Sequence, residues 1–395
     1  MRNYKITKFV EGAKGRLGAI KSISENCGSN PETIWFHSAS YGEYRQCQSV
    51  IAAIKRERPY LRIVLTFFSP SGYKNFDNNP DIGECYYLPT ATRSNARKFL
   101  DLVKPKLAIL MVGDYWPAYL WELKKRGIPV IAISARFKES SGPFHWYGFP
   151  VKHAITQCLT AVLAQNDKTK NLLQSIGYSN VRVCGDPRLD ALFAMKAIPW
   201  KDSVIENWSK GEKVFVAGSI CPEGDFEVIS ELANKHPERK FLIAPHETDD
   251  STISTFTSLL KVPFQLYSEA VKNGADSSVS VLVLNCVGIL SRVYKYGYAA
   301  YIGAAFHTDE PHSVIEPAVH GIPVIFGPRY FNNPHCVGLI NADAALSIKD
   351  KNELLEQYLH LEANAVSMGE RALSYCESMR GATSAIVPIL LEALQ

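Results

Sequence analysis

Two segments in opposite halves of the chain carry residue types that could do chemistry. The first, His37-Ser-Ala-Ser-Tyr-Gly-Glu43, follows an apolar run and opens a helical pattern. The second, His312-Ser-Val-Ile-Glu316-Pro-Ala-Val-His-Gly321-Ile-Pro-Val-Ile-Phe-Gly327, joins a helical pattern to a buried strand. Each places a carboxylate where the C-terminal end of a strand meets the start of a helix, the position at which open α/β sheets bind ligands. A first-turn glutamate can serve the helix dipole alone. Glu43 follows a buried strand directly, and Gly42 beside it permits close approach of a ligand, which is the placement a general base needs to take a proton from a hydroxyl. The second half adds corners at Gly218-Ser219, Pro245-His246-Glu247 and Val287-Gly288-Ile289, beside Ser313 to Glu316. Backbone amides at helix N-termini bind phosphate and Glu316 can accept bonds from ribose hydroxyls, so these corners read as a nucleotide crevice.

The elements that must hold these residues alternate between strand-like apolar runs and helical patterns, which argues for parallel sheets built from βαβ units. In the first half, strands are predicted at 33–36, 62–67, 84–88, 107–112, 129–134, 161–164 and 181–184, with helices at 43–58, 94–103, 117–126 and 168–175. The rhythm breaks over 186–211, where Pro187, Pro199, mixed charge and two tryptophans read as a linker. It then resumes with strands at 213–217, 240–244, 263–267, 279–284, 299–302 and 324–326, and helices at 225–234, 251–260, 290–296 and 314–320, before a helical run from Lys351 to the end. This predicts an α/β protein of two Rossmann-like domains facing a cleft, with a helical C-terminal tail, the architecture called GT-B. The expected boundaries are 1–190 for the first domain, 191–211 for the linker and 212–395 for the nucleotide-binding domain with its C-terminal helices.

A chain of 395 residues is long for a single core. Hydrophobic content of 46% and charged content of 21% exclude a disordered or polytopic membrane protein. Residues 1–200 hold 28 Lys and Arg against 15 Asp and Glu, while the remainder holds 15 against 24. A basic first half suits anionic lipid headgroups or phosphorylated acceptors. No nucleic-acid motif accompanies it. The nine cysteines form no CxxC pair, and several lie in apolar runs, as reduced cytosolic thiols do. The histidines His145, His153, His236, His307, His312, His320 and His335 show no ligand spacing and read as surface or capping residues, so no metal site is expected. The N-terminal stretch lacks the apolar core of a signal peptide, and no run reaches the length of a membrane span.

In order along the chain, the segments IWFHSASYGE, TFFSPSG, AILMVGDYWP, IPVIAISARF, FHWYGF, VLAQN, VCGDPRLD, VAGSICPE, LIAPHE and VIEPAVHGIPVIFGP resemble the 3-deoxy-D-manno-octulosonic acid (Kdo) transferases of lipopolysaccharide assembly, in the form found in Bacteroidetes-like bacteria. The resemblance implies inverting transfer of Kdo from CMP-Kdo to a lipid A precursor, without metal or cofactor, at the cytoplasmic face of the inner membrane. It implies a general base at Glu43 and transition-state stabilisers at Asp114 and Arg188. It places the nucleotide among Ser219, His246, Glu247, Val287, Gly288, Ile289, Ser313, Val314, Ile315 and Glu316. Asp114 stands where the family has Glu, Ser313 where it has Asn, and Ile220 where it has Thr. The family's membrane-spanning N-terminal segment has no counterpart here, which implies peripheral docking or anchoring by a segment beyond this chain. Another GT-B transferase or an epimerase with a different sugar nucleotide, and a non-catalytic homologue, remain as alternatives.

Overall fold

The computed structural model describes residues 2–28, 32–76 and 78–394. It divides into two units, Met1–Ala191 with Arg380–Gln395, and Leu192–Met379. The strands of unit 1 are β1 (Thr33–Ser38), β2 (Arg62–Phe67), β3 (Glu84–Tyr87), β4 (Leu107–Met111), β5 (Val130–Ala135), β6 (Ala161–Ala164) and β7 (Val181–Val183). β4 and β5 are buried at every position, because helices cover both faces of a parallel sheet. All pairings are parallel, in the order β3-β2-β1-β4-β5-β6-β7.

That order reverses between β1 and β4. Right-handed crossovers leave these two neighbours in opposite directions, so their C-terminal ends border a crevice. The register pairs His37 with Leu110 on β4 and with Thr66 on β2. The helix Tyr41–Glu57 starts at once, because Ser40 is extended and its hydroxyl accepts from the Glu43 N–H. Its buried face, Tyr44, Cys47, Val50, Ile51 and Ile54, keeps helical spacing and lies against the sheet.

Unit 2 repeats the plan with β8 (Val214–Ile220), β9 (Lys240–Pro245), β10 (Phe264–Leu266), β11 (Val281–Val283), β12 (Gly297–Ile302), β13 (Val324–Phe326) and β14 (Ala345–Ser347). Its order is β10-β11-β9-β8-β12-β13-β14, again parallel throughout, with the reversal between β8 and β12. A Cβ on Gly303, just past β12, would stand 2.4 Å from the Ser219 carbonyl oxygen, so this corner closes only around glycine. The two seven-stranded sheets bear out the predicted fold class. β14, the helix Pro334–Asn341 and the N-terminal helix Arg2–Asn26 were not anticipated from the sequence. No helix among the described residues is long and apolar enough to cross a membrane.

Two stretches differ from their expected roles. The segment read as a linker contains the helices Pro187–Ala197 and Ser203–Ser209, and the second inserts Ile205 and Trp208 into the core of unit 2. The Trp208 indole N–H donates to the Val279 carbonyl at 3.0 Å. Pro187 marks a helix start there, as proline does at N1. The final helix, Ala382–Glu392, grouped by sequence with the second domain, instead buries Ala382, Ile386, Val387 and Leu390 in the core of unit 1. Its first turn is held by a distant carboxylate: Asp190 accepts from the Gly381 N–H at 3.0 Å and from the Thr383 N–H at 2.7 Å. Gly381, at φ +108°, supplies no capping side chain of its own.

Asp190 thus does the work of an N-cap, a contribution of about 1–2 kcal/mol. Asp190→Ala should lower the urea midpoint of unit 1 accordingly and speed proteolytic cleavage near Gly381. Unchanged stability and unchanged cleavage would show that apolar packing alone holds the tail.

Candidate functional site

At the reversal point of unit 1, β1 delivers His37 and the turn after β4 delivers Asp114. Val112 adopts φ +56°, a left-handed conformation costly for a β-branched residue, as the chain turns out of β4. The Gly113 N–H then bonds the Met111 carbonyl at 2.8 Å. At the next residue, an oxygen of Asp114 lies 2.8 Å from Nε2 of His37. The other ring nitrogen, Nδ1, lies 2.9 Å from the Thr66 hydroxyl, which accepts from the Trp35 indole N–H at 2.8 Å. His37 and Thr66 are buried, whereas Asp114 is about one-fifth exposed.

Glu43 sits in the first turn of the following helix, and one of its oxygens accepts from the Ala39 N–H at 2.6 Å. Its surroundings push its carboxyl up to about 7. Burial is the main cause, since a charge in a poorly solvated place is disfavoured, and the negative charge of Asp114 adds to it. The Ala39 N–H works in the other direction. A carboxyl balanced near neutrality is suited to take up and release a proton. Arg188, in the first turn of the helix Pro187–Ala197, is gripped by the buried Asp186, whose carboxylate accepts from its backbone N–H at 2.9 Å and from Nε at 2.7 Å. The guanidinium is therefore held in one orientation at the end of β7.

In unit 2, Ser219, next to last in β8, takes φ +54°, and His246 follows β9 with its N–H on the Ile220 carbonyl. The His246 ring stacks on His312 with centroids 4.2 Å apart, and His312 Nε2 lies 3.9 Å from the Cys221 sulfur. Burial and the neighbouring histidines His246 and His307 push the His312 ring down to about 3. His312, read from sequence as a surface or capping residue, is thus a partner of His246 in a site-forming corner. Glu316 accepts from the Ser291 hydroxyl at 2.7 Å. It stands on a single helical turn, Ile315–Ala318, too short to present an open N-terminus. Val287 is exposed and Gly288 takes φ +98°, so the 287–289 loop offers backbone and little side-chain chemistry. Val314 and Ile315, expected at the nucleotide, instead point into the core with 1% exposure, and only their backbone could face a ligand. Ser313 and Glu247 are partly buried beside these corners.

Sequence reasoning missed Asp225. It opens the helix after β8, where phosphate was expected on backbone amides, and its own carboxylate accepts from the Cys221 and Ala304 N–H groups, each at 2.8 Å, and from the Tyr301 hydroxyl at 2.6 Å. A carboxylate already fills that corner and would repel a phosphate placed against it. Cys221, Asp225 and His307 also bring potential metal-ligand atoms within 4.8 Å of one another. The three bonds on Asp225 already engage both its oxygens. His37 and Thr66 left a sequence signal: each is a polar residue directly after an apolar run, IWF in TIWFHS and IVL in RIVLTF.

Residues 11–191 match the family model described as 3-deoxy-D-manno-octulosonic-acid transferase (kdotransferase). Over 353 residues the chain is 24% identical to the 3-deoxy-D-manno-octulosonic acid transferase of Haemophilus influenzae, covering 86% of this chain and 81% of that protein. It is 26% identical over 347 residues to the transferase of the same name from Aquifex aeolicus, covering 86% and 88%. Among solved structures, a UDP-GlcNAc 2-epimerase from Neisseria meningitidis bound to UDP-GlcNAc superposes with a TM-score of 0.64 at 16% identity, covering 91% of this chain and 100% of that one. MurG from Acinetobacter baumannii superposes at 0.54 and 13% identity, covering 92% and 100%. These structural likenesses concern the fold alone.

The raised Glu43 carboxyl has a consequence for stability. The unfolded chain ionises it near 4.5 and the folded chain near 7, so the folded state binds its proton more tightly and loses stability as pH rises between these values. At about 1.4 kcal/mol per pKa unit, Glu43→Gln should be more stable than the parent by roughly 1–3 kcal/mol at pH 8. The gap should close below about pH 5. Urea titrations of both proteins at the two pH values test this, and a pH-independent difference would mean that Glu43 is not held against its charge.

Proposed function

We propose that this member of the Kdo transferase family moves Kdo from CMP-Kdo to a hydroxyl of a lipid A precursor, inverting the anomeric centre. The observation that carries the reading is Glu43, a carboxyl balanced near neutrality at the crevice of unit 1 and facing Asp114, within the stretch that matches the family model. In this reading Glu43 takes the proton of the attacking acceptor hydroxyl. Asp114 stabilises the positive charge that develops at the Kdo anomeric carbon as its bond to phosphate breaks. Arg188, oriented by Asp186, meets the negative charge of the departing CMP. Unit 2 supplies the nucleotide contacts, with the ribose taken by the Glu316 carboxylate and the neighbouring groups His246 and Ser219 lining the corner. No step calls on a metal or cofactor.

The reading also places the protein peripherally on the cytoplasmic face of the inner membrane, where its acceptor lies. The basic first half supports this, as does one exposed surface of unit 1. There, Trp146, Tyr147 and Phe149 stand 90%, 60% and 64% exposed, and Phe149 stacks on His153, which also touches Trp121. Lys124 lies over the Trp121 ring. Aromatic rings with adjoining lysines suit the boundary between headgroups and acyl chains.

Glu43→Gln should abolish Kdo transfer from CMP-Kdo to a lipid A precursor by about 10²–10⁴-fold while CMP binding stays at the parental level. Thermal shift with CMP and UDP identifies the donor: stabilisation by UDP and not by CMP would overturn the CMP-Kdo reading in favour of another sugar nucleotide. Binding to vesicles containing anionic lipid should fall steeply as salt rises and should weaken in Trp146→Ala. Association insensitive to salt would remove the electrostatic part of the membrane reading.

A further inference from the structure

The hydrogen bonds beneath Asp114 have a direction that the function proposed above does not use. Trp35 Nε1 can only donate, so the 2.8 Å contact occupies one lone pair of the Thr66 hydroxyl oxygen. That hydroxyl has one proton to give and two acceptors within reach, Nδ1 of His37 at 2.9 Å and the Phe36 carbonyl at 3.4 Å. The shorter contact is the better bond. Nδ1 then accepts, and the ring carries its proton on Nε2, 2.8 Å from the Asp114 carboxylate. In the opposite arrangement, Thr66 would accept from both Trp35 and His37 and be left with the 3.4 Å contact for its own proton. The chain from Trp35 through Thr66 and His37 to Asp114 therefore runs one way.

Three of the four members sit on strands. Trp35 and His37 are alternate residues of β1, so both side chains leave the same face of the sheet. Thr66 is the register partner of His37 on β2. Trp35, His37 and Thr66 are 1% exposed or less, and the Trp35 ring is packed edge-on against Phe99 with centroids 4.8 Å apart. The one partly solvated member is Asp114, on a turn whose strained Val112 would relax if nothing held the loop. Among the described residues, the bond from His37 is the sole hydrogen bond recorded for the Asp114 side chain.

We infer that His37 is a positioning residue for the transfer reaction: its ring, locked as the Nε2–H tautomer by Thr66 and Trp35, pins one oxygen of Asp114 and turns the other toward the reacting sugar. The inference rests on the proposed role of Asp114. Holding a carboxylate against the developing charge before the reaction removes the cost of reorienting it in the transition state. The effect belongs in kcat and leaves donor affinity alone.

The test reads the ring directly. In protein labelled with ¹⁵N at histidine, with the His37 signals assigned by their loss in His37→Gln, the parent at neutral pH should show a single neutral tautomer protonated on Nε2. A ring protonated on Nδ1, an exchanging mixture, or a ring carrying both protons overturns the relay, and this measurement needs no variant to be active. Thr66→Val keeps the branched shape and removes the hydroxyl, so it should abolish the single tautomer. It should also lower kcat for Kdo transfer by about 10–100-fold with KM for CMP-Kdo unchanged, the scale of a misplaced catalytic group. His37→Gln, whose amide can still donate near the Nε2 position, should retain about tenfold more turnover than His37→Ala. Equal turnover in the two overturns the positioning role. A parent that transfers no Kdo refutes the proposed function, and the tautomer still decides the relay.

Discussion

What unit 1 can do depends on the reversal of strand order beside β1. Parallel strands need crossover helices, those crossovers are right-handed, and a sheet that grows outward on both sides of β1 must send its helices apart there. The helices that follow β1 and β4 leave in opposite directions, so polar groups placed at those strand ends border a crevice. His37, Asp114 and Glu43 all occupy that border. The same reversal recurs between β8 and β12, where Ser219, Gly303 and the His246–His312 pair gather. The two units thus solve one topological problem twice with different side chains.

Their carboxylates show how one residue type takes unlike roles according to what surrounds it. Asp225 is buried, and burial keeps its proton affinity raised even against three hydrogen bonds, which make it a tie between the ends of β8 and β12. Asp186 is spent on Arg188, and Asp190 on the first turn of the last helix. Glu43 receives two backbone contacts at most and faces a second carboxylate, so its charge remains incompletely compensated. An incompletely compensated carboxyl costs stability and gains reactivity. The structure therefore separates carboxylates that tie elements together from Glu43, whose raised carboxyl faces a second charge at the strand ends.

Much of this was legible in the sequence. Apolar runs such as LAILM and VIAISA read as buried parallel strands because both faces of such strands are covered, and β2, β6 and β13 were predicted to the residue. The placement of Glu43 was legible for a local reason: strand, Ser N-cap and helix lie within a few residues of one another. The fates of the linker and tail were not. Pro187, Pro199 and the tryptophans of 186–211 carry the composition of a linker, yet Trp208 is buried by partners far along the chain, including Val279. The last helix is amphipathic wherever it is drawn, and its docking onto unit 1 depends on Asp190 and Ser49, nearly two hundred residues or more away in sequence.

The sequence by itself determined the alternation of strands and helices, the two-unit α/β class and the motif bearing Glu43, because each depends on periodicity and capping within a short window. Tertiary structure alone decided which polar groups meet. Whether Val314 and Ile315 face a ligand or the core is set by neighbours on other elements. Whether His37 holds Asp114 depends on the register of β1 against β2 and β4 and on the turn through Val112. Contacts between residues dozens of positions apart are fixed by packing and register, and one chain read in order carries no direct record of them.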